Sequence, residues 1–271
     1  MLRGASAEAR RELVVRTGGS ATLDESAVLG EQLFAVAGVL RDQPALRRVC
    51  TDASVDAEAK AALAGTVFSG KVEGEALDVT AAAVRQRWTS SRDLADVLEE
   101  LGVEALVRSA GAQGSRVEDE LFAVAQLIDA NRDLRGTLSD PARTDEDKCA
   151  LIASMLDGKV LPATLQLVRQ AERSELPIVR ALAEMERIAA GVQKELLAVV
   201  HTARPLGTTE VSRLTQALGR AYDATVHLNI VEDPGLIGGL RIRSATTSST
   251  AVSSTSSTRP GAGSPAHPPR P

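Results

Sequence analysis

Residues able to do chemistry are few in this chain, and they are badly spaced for it. Histidine stands at 201, 227 and 267, and cysteine at 50 and 149. A metal centre gathers ligands at spacings such as C-x2-C or H-x3-H, and none of these five residues has such a neighbour. His201 and His227 read as surface residues of strands, and Cys50 and Cys149 as small buried thiols in a reducing compartment. The run Ser69–Glu75, SGKVEGE, offers a Gly-Lys pair. It lacks the leading glycine and the hydroxyl residue after lysine that a phosphate loop needs. Gly238 and Gly239 could cradle an anion, but a tight entry into a strand, where a Cβ would clash, is the simpler reading. No nucleophile stands beside a base in a recognisable pattern. The expectation is a non-enzyme with no catalytic residue, no cofactor and no metal.

Composition points the same way. Of 271 residues 44% are hydrophobic, 25% are charged and 2% are aromatic, and the net charge is -5. Ala, Leu, Glu and Arg favour helices over strands. A mildly acidic chain with so few aromatic rings lacks both the positive field and the stacking platforms of a nucleic-acid binder. The opening MLRGASAEARREL is charged and amphipathic, with no apolar signal region. No apolar run reaches the ~18 residues that span a bilayer, so association with a membrane is expected only through partners.

A repeat organises the first two thirds. LFAVA occurs at Leu33–Ala37 and again at Leu121–Ala125, an offset of 88 residues. At that offset 21 of the 63 pairs from position 33 to 95 are identical, where composition alone would give on the order of one in ten. Each copy reads as a bundle of short helices. Leu33, Val36, Ala37 and Leu40 fall on one helical face. Asp56 caps AEAKAAL, Leu77, Thr80, Ala81 and Val84 line one side of the next helix, and Ser91 caps RDLADVLEEL. Trp88 is placed on that amphipathic helix as a packing residue, not a ligand stack. In the second copy Ser139 or Thr144 opens DEDKCALIASML, Leu165 and Val168 face one way, and a long helix is predicted near Ile178–Val192. The runs EARREL and AEMERI read as solvated helix faces. Extending the offset backwards lays Glu12 and Leu13 over Glu100 and Leu101, so the last helix of copy one doubles as the first of copy two. Two copies are too few for a solenoid.

The pattern changes after Lys194. ELLAVVHTARPL reads as a strand, GTTEVSRLTQALGRAYD as a helix capped by Thr208 or Thr209, and ATVHLNI as a second strand. VEDPG turns, and LIGGLRIR is a third strand entered through the glycine pair. The predicted class is mainly α: a duplicated helical bundle, then a small α/β domain and a disordered tail. The boundaries fall at 1–104 and 105–193 for the two copies, 194–243 for an incomplete α/β domain, and 244–271 for a Ser/Thr/Pro tail.

The segments SDPARTDEDKCALIASML (Ser139–Leu156), LVRQAERSELPIVRALAEMERI (Leu167–Ile188) and above all VHLNIVEDPGLIGGLRIR (Val226–Arg243) carry a resemblance. From about 117 to 243 the chain resembles the delta-subunit family of the rotary F-type ATP synthase, to which the mitochondrial oligomycin-sensitivity-conferring protein is related. RQRWTSSRDLADVLEEL is similar to the versions from high-GC Gram-positive bacteria, which carry the same extra N-terminal length. Family members follow the glycine-pair strand with a segment of the form Gly-Asp-x-x-Ile-Asp-Gly and a last helix. Here stands SATTSSTA (Ser244–Ala251). Changing the frame of these eight codons by one base permits Val-Gly-Asp-Asp-Val-Ile-Asp-Gly, so the tail after Arg243 has two readings, a one-base frameshift product or a genuine disordered Ser/Thr/Pro tail.

The resemblance implies a non-catalytic stator subunit on the cytoplasmic face of the bacterial plasma membrane, held there by the complex without inserting in the bilayer. It implies two partners, the N-terminal helices of the alpha subunits and the membrane-anchored b stalk. The groove beside Leu77, Val84 and Trp88 in copy one is expected to grip the head, with copy two as a spacer. The strand entry Leu236, Ile237, Gly238, Gly239 and Leu240 is expected to serve the other contact. Without the resemblance, the residues support a general helical adaptor.

Overall fold

A computed structural model describes residues 2–17, 22–193, 195–202, 207–222, 225–232 and 240–245. The protein is mainly helical. Helices α1 (Gly4–Thr17), α2 (Leu23–Asp42), α3 (Pro44–Thr51), α4 (Ala57–Phe68), α5 (Glu75–Arg85) and α6 (Ser91–Ser109) build a first bundle. Helices α7 (Gly114–Ala130), α8 (Arg132–Leu138), α9 (Asp145–Leu156), α10 (Pro162–Glu172) and α11 (Ile178–Gln193) build a second against the far half of α6.

The repeat is visible bond by bond. The 88-residue offset carries Ala57–Phe68 onto Asp145–Leu156 without a slip. The Asp56 carboxylate caps α4 by accepting from the Glu58 and Ala59 amides, and the Thr144 hydroxyl caps α9 by accepting from the Asp147 amide. Each cap satisfies amides that the first helical turn leaves unpaired. Both helices end on a residue at φ -54, ψ 131, followed by a left-handed glycine, Gly70 at φ 77 and Gly158 at φ 69. SGKVEGE is therefore the turn between two helices. Arg47 donates to the carbonyls of Leu40 and Arg41, and Arg135 donates to that of Asp129, closing the ends of α2 and α7 in the same way. The Gln32 side chain accepts from the Glu73 amide at 3.2 Å, and Glu120, at the same place in the second bundle, accepts from the Leu161 amide at 2.8 Å.

Two apolar cores follow from this. Leu29, Leu33, Val36, Ala37 and Leu40 of α2 enter the first, and Val117, Leu121, Val124, Ala125 and Ile128 of α7 enter the second. Helix α6 serves both. It gives Leu94, Val97, Leu98, Leu101 and Ala105 to the first core and Val103, Leu106 and Val107 to the second. Leu101 thus belongs to the first core. The 88-residue offset carries Gly4–Thr17 to positions inside α6, although Leu13 and Leu101 both enter the first core. Residue 104, the expected boundary, lies inside this helix.

Other expectations need correction. Ser90, not Ser91, caps α6, with Asp93 returning a bond to the Ser90 amide. Trp88 lies beyond the end of α5, where its indole N–H donates to the Ala83 carbonyl at 2.9 Å. EARREL is not all solvated: Arg10 pairs with Glu100 at 2.7 Å and with the buried Glu104, which also binds Arg108 at 2.9 Å.

Beyond α11, β1 (Glu195–Thr202), α12 (Thr208–Tyr222), β2 (Thr225–Glu232) and β3 (Leu240–Ala245) follow. The strands form one sheet in the order β2-β1-β3, with β2 parallel and β3 antiparallel to β1. Parallel pairing of β1 and β2 requires a crossover, and α12 supplies it. Strand β3 runs two residues past Arg243, with Ser244 opposite Ala198 and Ala245 opposite Leu197. The remainder of the Ser/Thr/Pro tail lies outside the described residues.

Candidate partner-binding site

Helix α5 buries Ala76, Val79, Thr80, Ala83 and Val84 against the first core. Val84 is fully buried, so it supports the surface from beneath and touches nothing outside. Leu77, Ala81 and Trp88 are half-buried and pack against the core from its rim. The expected residues Leu77 and Trp88 therefore lie at an accessible edge, with Asp78 exposed between them and α1 alongside. Leu240 opens β3, opposite Thr202 of β1. Leu236, Ile237, Gly238 and Gly239 lie outside the described residues.

The second bundle has the corresponding edge on α10, but its chemistry differs. At the 88-residue offset Ala81 becomes Arg169 and Asp78 becomes Gln166. Gln166 donates to Glu31 of α2 at 2.6 Å, and Gln170 donates to Glu99 of α6 at 2.8 Å. Glu99 in turn pairs with Arg41 of α2. This edge is tied to the first bundle. Sequence reading missed it because the glutamines look like solvated helix positions, and only the fold brings them to acids about 70 and 135 residues away.

Nothing at either edge is arranged for catalysis. Among the described residues there is no cluster of three His, Cys, Asp or Glu side chains able to hold a metal. Cys50 and Cys149 are both buried and free, and burial pushes both thiols up from the ordinary range, which keeps them protonated. His201 and His227 lie on β1 and β2. An apolar cleft among α7, α8, α9 and α10 is lined by side chains that include Leu127, Ile152 and Leu156. Leu156 stands where the first bundle has the larger Phe68. Among the described residues no helix is long and apolar enough to cross a membrane.

Comparison with known proteins gives a consistent picture. A family model described as ATP synthase delta (OSCP) subunit matches residues 103–249, which is the second bundle and the sheet. The chain is 47% identical over 244 residues to the ATP synthase subunit delta of a Nocardioides species, covering 89% of both chains. It is 37% identical over 238 residues to that of Beutenbergia cavernae, covering 86% of both. With that of Streptomyces griseus it shares 36% identity over 247 residues, 89% of this chain and 90% of the relative. These matches span the first bundle as well.

Proposed function

The chain belongs to the ATP synthase delta (OSCP) family, non-catalytic peripheral-stalk subunits of the F-type enzyme, and from that premise we propose how its parts are used. The first bundle grips the N-terminal helices of the alpha subunits at the edge formed by α1 and α5. The region of β3 and its entry, Leu236–Leu240, holds the b stalk. The second bundle is the spacer between them, sharing α6 with the first, and residues 194–243 form a small α/β unit of their own. The subunit sits on the cytoplasmic face of the plasma membrane through these partners.

The function is mechanical. Proton flow turns the rotor, and a stator must stop the catalytic head from turning with it. An amphipathic helix laid in a groove provides apolar burial and a fixed register. Several such contacts within one assembly hold more tightly than any one alone. The observation that carries the assignment to the first bundle is the half-buried rim of Leu77, Ala81 and Trp88, against a second-bundle edge whose Gln166 and Gln170 are bonded within the chain.

Leu77→Arg tests this. Binding of the full chain to alpha-containing head subcomplexes is expected to weaken at least tenfold, about 1.4 kcal/mol. The matching change on the second bundle, Leu165→Arg, is expected to leave binding within a factor of two. Equal binding by wild type and Leu77→Arg, with unchanged circular dichroism, contradicts the assignment.

A further inference from the structure

Helix α2 does something its counterpart α7 does not. Ala27, Gly30, Glu31 and Phe34 recur at i, i+3, i+4 and i+7 and so share one face. That face is turned to the second bundle. A Cβ on Gly30 would stand 2.8 Å from Leu106 Cγ and 2.9 Å from the Gly102 carbonyl oxygen, so the backbone of α2 lies directly on α6. Phe34 belongs to the second core, Ala27 packs against it, and Glu31 accepts from Gln166 of α10 at 2.6 Å. A helix of the first bundle is therefore seated on α6 and α10, the first and fifth helices of the second.

The first and fifth helices of the first bundle are α1 and α5. There Asp78 takes the place of Gln166 and is exposed, and Ala81 takes the place of Arg169. Arg10 faces α6, and Glu8 and Glu12 stand exposed on another flank of α1. Compared with α10, this edge has exchanged an amide donor and a cation for a carboxylate and a methyl group.

Resting on the reading that the alpha subunit's N-terminal helix binds here, we infer that α2 is a built-in occupant of the second groove, and that the partner helix docks on α1 and α5 as α2 docks on α6 and α10. The chain then takes one such helix, not two. The partner presents small residues where α2 has Ala27 and Gly30 and an apolar side chain where it has Phe34. In place of Glu31 it presents a lysine or arginine to Asp78, because a carboxylate there would face a carboxylate.

Calorimetry with the full chain and a peptide of the alpha subunit's N-terminal helix tests this. One peptide per chain is expected. Asp78→Lys is expected to weaken binding at least tenfold, and a peptide whose facing cation is changed to glutamate is expected to recover it. Two peptides per chain, or an affinity untouched by Asp78→Lys, overturns the inference while leaving the partner reading intact. No binding of the peptide to the wild-type chain overturns the partner reading itself, and this inference with it.

Discussion

Phe34 and Phe122 are the same residue in the same LFAVA pentapeptide, yet one is 9% exposed and the other 52%. The cause lies in the residue each meets. A Cβ on Gly102 would come within 2.7 Å of the Phe34 ring. In the second bundle the position of Gly102 is Ala190, and that of Gly30 is Glu118. The missing methyl lets Phe34 lie down, and nothing does the same for Phe122. The pentapeptide thus revealed the repeat but could not reveal that its two phenylalanines have different neighbours. The partners of Gln166 and Gln170 are likewise set by how helices meet. At this scale Glu75 gives a test. Burial raises its carboxyl above the ordinary range, the nearby acids Glu25 and Asp78 raise it further, and Arg108 opposes them. A raised folded value favours the protonated form, so ionised Glu75 weakens the fold. Glu75→Gln is expected to raise the urea midpoint at pH 7. The gain should vanish as pH falls below about 4.3, where the unfolded carboxyl is also protonated. A gain that persists at pH 3 contradicts this account.

At the scale of elements, α6 is the part on which both bundles depend. Its length, Ser91–Ser109, lets one half close the first core and the other half open the second. The charges around it are inward-looking. Glu104 is buried and bound by Arg10 and Arg108, which supply the charge pairing a buried carboxylate needs. Helix positions from α2 to α11 were largely legible, because caps, glycines and apolar spacing are local signals. Asp56 and the α2 face Leu33, Val36, Ala37 and Leu40 fall where the pattern placed them. The crossing of α2 and α6 was not legible, since two glycines 72 residues apart carry no local sign of contact. Gly102→Leu forces side-chain atoms into the Phe34 ring. A cost of ~1–3 kcal/mol is expected in urea unfolding, as in other overpacked cores. Loss of a single cooperative transition should accompany it. A variant as stable as the wild type would show that the close approach is not needed.

For the whole molecule, duplication has a simple physical consequence. Two like bundles bring two like grooves, and the second is closed by the first bundle's own α2. What remains is a pair of bundles that share α6, with strand β2 of the sheet touching α1 and β1 touching α11. A stator needs such a part, because torque is resisted better by a stiff joint than by a linker. The non-enzymatic, mainly helical character was readable from composition and from the poverty of reactive clusters. The partners came from the resemblance alone. The most direct measurement is a structure of the assembled ATP synthase containing this chain. An alpha-subunit helix lying along α1 and α5, with α2 still seated on α6 and α10, is the expected result. An alpha helix resting on the second bundle, or no alpha contact at α1 and α5, would contradict the account.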